Sequence, residues 1–427
     1  MEPVIPEPIP PERIPPARIV IVGAGQAGGR TAEALRQQGF RGSLLLIGAE
    51  EEPPYERPAL SKDFLSGATP AERLLVRPPE WWNEQGVDLR LGVTAEGIDR
   101  SAARLRLSNG EKVAYDALVL ATGSRPRLLP LRSDLADLAD RVQPLRSLGD
   151  ARRLAPRLKA GTRVVVIGGG FIGLEVAATA VAAGASATVV EASPQPLARV
   201  APAPLGRWMA ERHRRRGVTL LTGEAVDTIR RDGGELSVVL SGGTGVAADV
   251  VVVGIGVRPN MELAGDAGIA IADGILCDAF GATDAPGIWA AGDVSCHFNP
   301  LAGRHARLES WQNAQNQAIA VARNLISEPR PYAEVPWIWS DQFDINLQMC
   351  GWLEPDGDLH LRGDPDSGRF IAMQVSRGCV NAAWTFNQGR EMRILRRLVG
   401  TRKPVDPEAL RDPGTPLADI AAALAKV

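Results

Sequence analysis

Two segments of the chain share one pattern of apolar and polar positions. Arg18 precedes the apolar run Ile19–Val22 and a GxGxxG turn, and Arg163 precedes the apolar run Val164–Ile167 and a second GxGxxG turn. Each run has the length of a buried strand, and the alanine-rich stretch after each turn indicates a helix. The sequence therefore predicts the same strand–turn–helix unit twice.

Both units carry the chemistry of a dinucleotide site. Three glycines at a helix N-terminus let a pyrophosphate approach bare backbone N–H groups. Glu50 follows the predicted strand Ser43–Ile47, and Glu191 follows Ala187–Val190, where an acid can accept hydrogen bonds from a ribose diol. Because Glu191 would repel a 2′-phosphate, the second unit favours NAD(H) over NADP(H), a preference that Arg199 weakens slightly.

Other elements follow from period and turn residues. The two helices are predicted from Ala27 to Gln38, before Gly39, and from Ile172 to Ala183, before Gly184. From about Pro336, alternating apolar positions predict antiparallel strands. The remaining predicted elements are strands near Asp88–Leu91, Arg104–Leu107, Tyr115–Gly123, Asp249–Val253, Phe370–Val375 and Cys379–Thr385, and helices near Met392–Val399 and Leu417–Leu424. The strand Asp249–Val253 is expected to return the chain from the second unit to the first.

Composition sets limits on the class of protein. With 427 residues, 45% apolar, 23% charged and a net charge of −2, the chain suits two or three ordinary globular domains. This balance argues against a protein whose whole surface binds nucleic acid or an anionic membrane. The first sixteen residues contain seven prolines and no secretory pattern, and we expect no membrane span and a cytoplasmic location.

The four cysteines, Cys277, Cys296, Cys350 and Cys379, are scattered through the second half of the chain. None forms a CxxC or CxxxxC pair, so neither a metal site nor a disulfide relay has its usual spacing. The sequence predicts buried, unreactive thiols and no metal.

A set of motifs, in order, resembles a known family. These motifs are Gly23–Gly28, Arg57–Lys62, Ala121–Arg125, Gly168–Glu175, Val253–Asn260 and Ala290–Asp293. They resemble the two-dinucleotide flavoprotein reductases of the glutathione-reductase superfamily. Within it, the chain is similar to FAD-dependent ferredoxin reductases of the putidaredoxin reductase and rhodocoxin reductase type, which serve cytochromes P450 and ring-hydroxylating dioxygenases. The resemblance covers about residues 17 to 410.

The resemblance implies an α/β fold with two Rossmann-like, glutathione-reductase-like dinucleotide domains and a C-terminal α+β domain. The expected boundaries are a disordered proline-rich extension at 1–16, a discontinuous FAD-binding domain at 17–127 and 258–332, an NAD(H)-binding domain at 128–257, and the C-terminal domain at 333–427.

It also implies roles for individual residues. Lys62 would lie beside flavin N5, with Glu175 facing it across the hydride path, so these two are the expected catalytic residues. The other expected FAD contacts are Gly23, Gly25, Ala27 and Gly28 at the pyrophosphate, Glu50 at the adenosine ribose, backbone near Ala95 at the adenine, Asp293 at the ribitol, Trp311 at the pyrimidine edge, and also Arg57, Thr122, Gly123, Arg125, Arg146 and Gly292. The expected NAD(H) contacts are Gly168, Gly170, Ile172, Gly173, Glu175, Glu191, Arg199 and Gly256. Two departures are Ala59, where many members have a second proline, and Ala49, where many have an acid.

The expected electron acceptor is an external carrier. The loop Pro53–Lys62 contains no cysteine, so the thiol route of related reductases is missing, and a [2Fe–2S] ferredoxin is the natural partner. We expect transient electrostatic docking on Arg304, Arg307, Arg393, Arg396 and Arg397, and a monomer or weak homodimer. A solvated helix face explains the last three arginines equally well. The basic run Arg212 and Arg214–Arg216 is interpreted as complementing a helix C-terminus.

Two other functions remain open at this stage. One is an NADH oxidase or a small-molecule reductase of the quinone or monodehydroascorbate type on the same scaffold. The other is a flavoprotein that senses NADH and signals by changing shape, which would require an inserted segment or an oligomer surface.

Overall fold

The computed structural model describes residues 16–129, 138, 140–232 and 234–426. The proline-rich extension predicted for 1–16 lies, except for Pro16, outside these residues. Up to residue 253 the described strands are β1 Arg18–Val22, β2 Ser43–Ile47, β3 Val87–Arg90, β4 Ala95–Asp99, β5 Arg104–Leu107, β6 Lys112–Ala114, β7 Ala117–Leu120, β8 Ser124–Pro126, β9 Val142–Pro144, β10 Arg163–Ile167, β11 Ser186–Glu191, β12 Thr219–Thr222, β13 Val226–Asp232, β14 Glu235–Leu240, β15 Gly245–Ala248 and β16 Val250–Val253.

After residue 253 the chain adds ten strands within the described residues: β17 Val257–Pro259, β18 Ile275–Cys277, β19 Ile288–Ala290, β20 Ser295–Asn299, β21 Arg304–Arg307, β22 Trp337–Gln342, β23 Ile345–Gly351, β24 Asp358–Asp364, β25 Arg369–Ser376 and β26 Cys379–Phe386. The α-helices are α1 Gln26–Gln37, α2 Pro79–Glu84, α3 Leu148–Leu154, α4 Phe171–Ala182, α5 Ala203–Arg215, α6 Glu262–Asp266, α7 Trp311–Ile326, α8 Met392–Thr401, α9 Pro407–Arg411 and α10 Leu417–Lys426.

The first nucleotide unit is a parallel sheet in the order β19-β7-β1-β2-β3. Four consecutive residues of β1 are buried, as expected for a strand covered on both faces. On one face α1 and α7 pack together, with Leu35 and Val321 in their shared core. On the other face lies the antiparallel sheet β4-β5-β6, whose Leu105 is fully buried.

The second unit repeats this plan, with the parallel order β12-β11-β10-β16-β9. Here α4 and α5 cover one face and the antiparallel sheet β13-β14-β15 packs against the other. The predicted strand near Asp249–Val253 is β16, and it is the neighbour of β10 inside this second sheet. The return to the first unit is made by β17, which pairs with β8.

The C-terminal part is an antiparallel sheet in the order β22-β23-β26-β25-β24. Its core with α8 and α10 contains Leu395, Leu398 and Ala421, and its other face packs against α5 of the second unit. The predicted hairpin around Arg377 and Gly378 joins β25 to β26. The fold class predicted from the sequence is confirmed.

The predicted nucleotide helices each begin and end one residue earlier than expected, and the predicted strands Ser43–Ile47 and Arg104–Leu107 are observed unchanged. None of the described helices is both long enough and apolar enough to cross a membrane.

Candidate active site

The turn after β1 leaves one stretch of backbone bare. Gly23 has a φ of +111°, and a Cβ there would lie 2.2 Å from the carbonyl oxygen of Ala121. A Cβ on Gly28 would lie 1.8 Å from the carbonyl oxygen of Gly23. A Cβ on Gly25 would instead meet no described atom closer than Arg57 Nη2, at 3.8 Å. Gly23 and Gly28 therefore shape the turn, and Gly25 presents its backbone to a ligand.

The turn after β10 is built in the same way. Gly168 has a φ of +107°, and a Cβ on Gly173 would lie 2.0 Å from the carbonyl oxygen of Gly168. A Cβ on Gly170 would meet no atom of the described residues within 4 Å. The sequence assigned Gly28 and Gly173 to cofactor contact, but their place in the structure is the close packing of helix against strand.

Each turn opens into a cavity, and the two cavities adjoin. The cavity at the second turn has a volume of about 860 Å³ and the cavity at the first about 540 Å³, both within the range of small-molecule sites. Phe171 and Ile172, the first two residues of α4, line both cavities. Ile172 is a large apolar residue with 42% of its surface exposed, because its side chain faces the cavities and not the core.

Most of the sequence-predicted contacts line these cavities. The smaller is lined by Gly23, Gly25, Ala27, Glu50, Arg57, Lys62, Thr122, Gly123, Arg125, Arg146, Glu175, Asp293 and Trp311. The larger is lined by Gly168, Gly170, Ile172, Glu191, Arg199 and Gly256. Ala95 and Gly292 line neither, since Ala95 begins β4 and a Cβ on Gly292 would lie 2.7 Å from Ala27 Cβ.

Lys62 and Glu175 meet in the wall of the smaller cavity, and Glu175 lies one turn of α4 after Phe171 and Ile172. Lys62 Nζ lies 2.9 Å from Glu175 Oε2, and the two side chains are 15% and 2% exposed. Ser61 Oγ donates to the same carboxylate oxygen at 2.5 Å, and Ser340 Oγ donates to Oε1 at 2.5 Å. Burial raises the pKa of the Glu175 carboxyl, against the opposing influence of Lys62 and the two hydroxyls.

Glu50 is already engaged within the protein. Arg57 Nη2 donates to Glu50 Oε1 at 2.6 Å, and the Tyr55 hydroxyl donates to Oε2 at 2.5 Å. Arg57 Nη1 also donates to the carbonyl oxygen of Arg146 at 2.7 Å. Burial raises the pKa of Tyr55, which keeps its hydroxyl protonated as a donor. The Glu50 side chain stays 37% exposed, so one face of the carboxylate remains open to a ribose.

A second polar group fixes the far wall of the smaller cavity. Arg146 Nη2 and Ser124 Oγ both donate to Asp293 Oδ2, at 3.0 and 2.9 Å. Arg125 is directed to Glu262, with 2.5 Å between Nη2 and Oε1. Arg146 and Asp293 therefore act as one unit, whereas Arg125 borders the cavity through a surface ion pair.

Three tryptophans line the site opposite the glycine turns. Trp337 stacks on Trp339 with ring centroids 5.2 Å apart, and Trp311 meets Trp339 edge to face at 5.6 Å. Trp311 Nε1 and both amide atoms of Gln26 are buried without a hydrogen-bond partner among the described residues. Since buried polar groups are normally paired, these atoms indicate that a polar ligand belongs in the smaller cavity.

In the larger cavity Glu191 is set at the turn. Gly169 N donates to Glu191 Oε2 at 2.6 Å, and Ser193 N donates to Oε1 at 2.7 Å. These two backbone donors fix the orientation of the carboxylate at the edge of the second turn, where the sequence predicts an adenosine ribose.

The arginines expected at a docking surface differ in exposure. Arg304, Arg393 and Arg397 are exposed. Arg396 is half-buried and lies 3.4 Å from Glu334. Arg307 is only 8% exposed and pairs with Asp273 and Glu309, so it forms part of the cavity wall and is corrected from a docking residue to a structural one.

Residues 17–318 match the pyridine nucleotide-disulphide oxidoreductase family, and residues 337–421 match the reductase C-terminal family. The chain belongs to the pyridine nucleotide-disulphide oxidoreductase family.

Two curated relatives of this oxidoreductase match over most of their length. One is the ferredoxin–NAD(+) reductase component of the anthranilate 1,2-dioxygenase system of Burkholderia cepacia, 45% identical over 395 residues, which cover 92% of this chain and 97% of that protein. Another is the ferredoxin–NAD(+) reductase component of the 3-phenylpropionate/cinnamic acid dioxygenase of Photorhabdus laumondii, 39% identical over 380 residues, 89% of this chain and 95% of that protein.

Solved structures agree with these matches. The putidaredoxin reductase–putidaredoxin covalent complex matches with a TM-score of 0.93 and 37% identity, over 96% of this chain and 99% of that chain. The ferredoxin reductase for the CYP199A2 system from Rhodopseudomonas palustris matches with a TM-score of 0.90 and 37% identity, over 95% and 100% of the two chains.

The family's two dinucleotides fit the residues present. The smaller cavity, with its bare glycine turn and its unpaired buried donors, fits FAD. The larger cavity, with Glu191 oriented at its glycine turn, fits NAD(H). No roles were assigned to Tyr55, Ser61 and Ser340 from the sequence. Tyr55 and Ser61 lie in the loop Pro53–Lys62, which was singled out for its resemblance and its lack of cysteine, whereas no pattern marked Ser340 on β22.

Proposed function

We propose that this oxidoreductase passes electrons from NADH, through bound FAD, to a [2Fe–2S] ferredoxin that serves a cytochrome P450 or a ring-hydroxylating oxygenase. One observation carries the proposal: the two cavities adjoin at Phe171 and Ile172, one turn of α4 from the Lys62–Glu175 pair, and no cysteine lines either of them. The acceptor must therefore be external, although the family name refers to disulphides.

The state of the cysteines supports an external acceptor. Cys277, Cys296 and Cys350 are buried, and burial raises the pKa of each thiol, for Cys350 to about 12. A thiol with a raised pKa is a poor nucleophile at neutral pH. Cys379 is more accessible, but its Sγ bonds the carbonyl oxygen of Arg402 in the C-terminal part.

The relatives support ferredoxin as that acceptor. The two curated proteins are named as ferredoxin–NAD(+) reductase components of dioxygenase systems, and one solved neighbour is joined to putidaredoxin. The chain covers 97%, 95% and 99% of these three proteins, so the similarity extends over nearly their whole length.

When bound, FAD supplies the redox chemistry, accepting two electrons from a nicotinamide and releasing them singly. The chain supplies alignment and a fixed field. Glu191 would hold the adenosine ribose of NADH, and the backbone at Gly170 would hold its pyrophosphate. Phe171 and Ile172, which line both cavities, would exclude water from the place where the two dinucleotides adjoin. Lys62, held by Glu175, would place its ammonium in the wall of the smaller cavity.

The first experiment is anaerobic. The FAD-loaded protein is reduced with one equivalent of NADH and mixed separately with an oxidised [2Fe–2S] ferredoxin, dissolved oxygen, a quinone and glutathione disulfide. Rapid reoxidation by the ferredoxin alone is the expected result. Fast reoxidation by oxygen or the quinone, with none by the ferredoxin, would replace this function by an oxidase or a quinone reductase.

Several finer points stay predictions. These are the domain boundaries at 17–127, 128–257, 258–332 and 333–427, the transient electrostatic docking, the monomer or weak homodimer, and the cytoplasmic location. The pairing of β8 with β17 supports boundaries near 127 and 257, because both crossings between the nucleotide units lie side by side there.

A further inference from the structure

Helix α5 is fastened to the C-terminal sheet along one face. Trp208 Nε1 donates to the carbonyl oxygen of Pro365 at 3.0 Å, and Arg212 donates to the carbonyl oxygen of Asp366 at 3.0 Å. Arg216, just after the helix, lies 2.6 Å from Asp344. The basic run interpreted from sequence as complementing a helix end thus has another task, because two of its arginines contact the C-terminal part.

His213 lies on this same face and begins a buried chain of hydrogen bonds. Its Nε2 lies 2.8 Å from Gln342 Oε1, and Gln342 Nε2 donates to Ser340 Oγ at 2.8 Å. Ser340 Oγ in turn donates to Glu175 Oε1 at 2.5 Å. Ser340 and Gln342 are two residues apart on β22 and so point to the same side of the sheet. All four side chains are buried.

The series of hydrogen bonds from His213 to Glu175 can have only two donor-to-acceptor directions. Burial lowers the pKa of His213, so the imidazole is neutral and protonated on one nitrogen. With the proton on Nε2, each group donates toward Glu175, which must be an ionised acceptor. With the proton on Nδ1, the Gln342 amide is reversed, Ser340 donates to Gln342, and Glu175 must carry a proton to donate to Ser340.

Two observations select the first direction. His213 Nδ1 has no partner among the described residues, and an unpaired acceptor there costs less than an unpaired buried N–H. At the other oxygen of Glu175, Lys62 and Ser61 are both donors, so the carboxylate is surrounded by groups that favour its ionised form.

This hydrogen-bond series does not conduct protons. An amide lies in its middle, and Gln342 cannot relay a proton without losing its own amide form. Its effect is to orient and polarise Ser340 toward one oxygen of Glu175.

We propose that His213, Gln342 and Ser340 are positioning residues that hold Glu175 as an ionised acceptor for Lys62, so that the packing of α5 on the C-terminal sheet sets the geometry of the Lys62–Glu175 pair. The catalytic meaning of this inference rests on the proposed function. The hydrogen-bond chain itself does not, and its test is independent of turnover.

The first test is ¹⁵N NMR of the FAD-loaded protein labelled at its four histidines. The His213 signal is assigned by its loss in His213→Gln. We expect a protonated Nε2 and an unprotonated Nδ1 that stay unchanged between pH 6 and 8. A protonated Nδ1, or a doubly protonated ring, would overturn the proposal. This measurement needs only the wild-type protein and one assignment variant. It determines the direction of the hydrogen bonds even if NADH fails to reduce the flavin.

The second test compares variants by stopped-flow reduction with NADH. Gln342→Leu removes the hydrogen bond that orients Ser340 toward Glu175. It is expected to slow flavin reduction about tenfold, the value of one lost buried hydrogen bond, with the NADH Kd unchanged. His213→Gln keeps an N–H donor and is expected to retain most of the rate of flavin reduction. His213→Leu has no donor and is expected to slow flavin reduction as Gln342→Leu does. His297→Leu is the matched control, because His297 is as buried as His213 and takes no part in the hydrogen-bond series. Wild-type reduction rates in folded Gln342→Leu and His213→Leu would refute the positioning role.

Discussion

Lys62 Nζ and Glu175 Oε2 lie 2.9 Å apart across the boundary between the two nucleotide units. Lys62 follows the short 3₁₀ turn Pro58–Ser61 of the first unit, and Glu175 lies in the first turns of α4 in the second. Both residues line the smaller cavity, and Glu175 lies one turn of α4 after Phe171 and Ile172, which line both cavities.

Removal of the Lys62 charge should destabilise the protein in a pH-dependent way. Lys62→Met leaves the buried Glu175 without its ammonium, and we expect a loss of about 3 kcal/mol in the free energy of unfolding at pH 7. Burial already raises the pKa of Glu175. For an acid whose pKa is higher in the folded state, stability falls as pH rises above the unfolded value, near 4.3. The deficit should therefore shrink from pH 8 to pH 5, as measured by urea unfolding.

The double variant Lys62→Met/Glu175→Gln is the control for that prediction. It removes both charges, so no buried carboxylate is left unpaired and the deficit at pH 7 should largely disappear. A deficit in Lys62→Met that is constant with pH and persists in the double variant would mean that the lysine contributes only by packing.

The two glycines of the second turn should respond in opposite ways to one added methyl group. Gly170→Ala places the methyl in open space at a φ of −77°, so folding and FAD content should be normal while the NADH Kd rises at least about tenfold. Gly173→Ala places the methyl 2.0 Å from a backbone oxygen, so the thermal midpoint or the soluble yield should fall. Calorimetry and NADH titration distinguish the two. Equal affinities in Gly170→Ala and wild type would exclude the turn as the pyrophosphate site.

The nucleotide turns were predictable because their causes are local. A glycine with positive φ and a helix packed on a strand leave the same sequence pattern wherever they occur, so Gly23 and Gly168 could be assigned without a structure. The resemblance then supplied Lys62 and Glu175.

The residues that were missed owe their roles to distant segments. His213 meets Gln342 only because α5 packs on the C-terminal sheet, and no pattern around either residue records that contact. An arginine is expected at the surface, but the side chain of Arg307 is enclosed by ion pairs with Asp273, just before β18, and with its sequence neighbour Glu309. The periodicity of apolar residues predicts one helix or strand at a time, so it does not predict contacts between elements.

Glu191 should determine the choice between NADH and NADPH. Its carboxylate is fixed by Gly169 N and Ser193 N at the second turn, where a 2′-phosphate would meet a negative charge. We expect Glu191→Ser to reduce the kcat/KM preference for NADH over NADPH at least about tenfold. Glu224→Gln, which changes another acid on the wall of the same cavity, is the matched control and should leave the preference unchanged. An unaltered preference in Glu191→Ser would show that the ribose binds elsewhere.

The exposed arginines of α8 should set the affinity for ferredoxin without affecting the NADH half-reaction. Arg393→Glu/Arg397→Glu is expected to raise the KM for an acidic [2Fe–2S] ferredoxin about tenfold at low salt, with a smaller effect at high salt, where screening shortens the reach of exposed charges. Arg230→Glu/Arg231→Glu changes the net charge equally on exposed positions of β13 and should have little effect. Steady-state kinetics at two ionic strengths, with flavin reduction by NADH measured separately, compare the pairs. Equal losses in both would mean that only overall charge matters and that α8 is a solvated helix face.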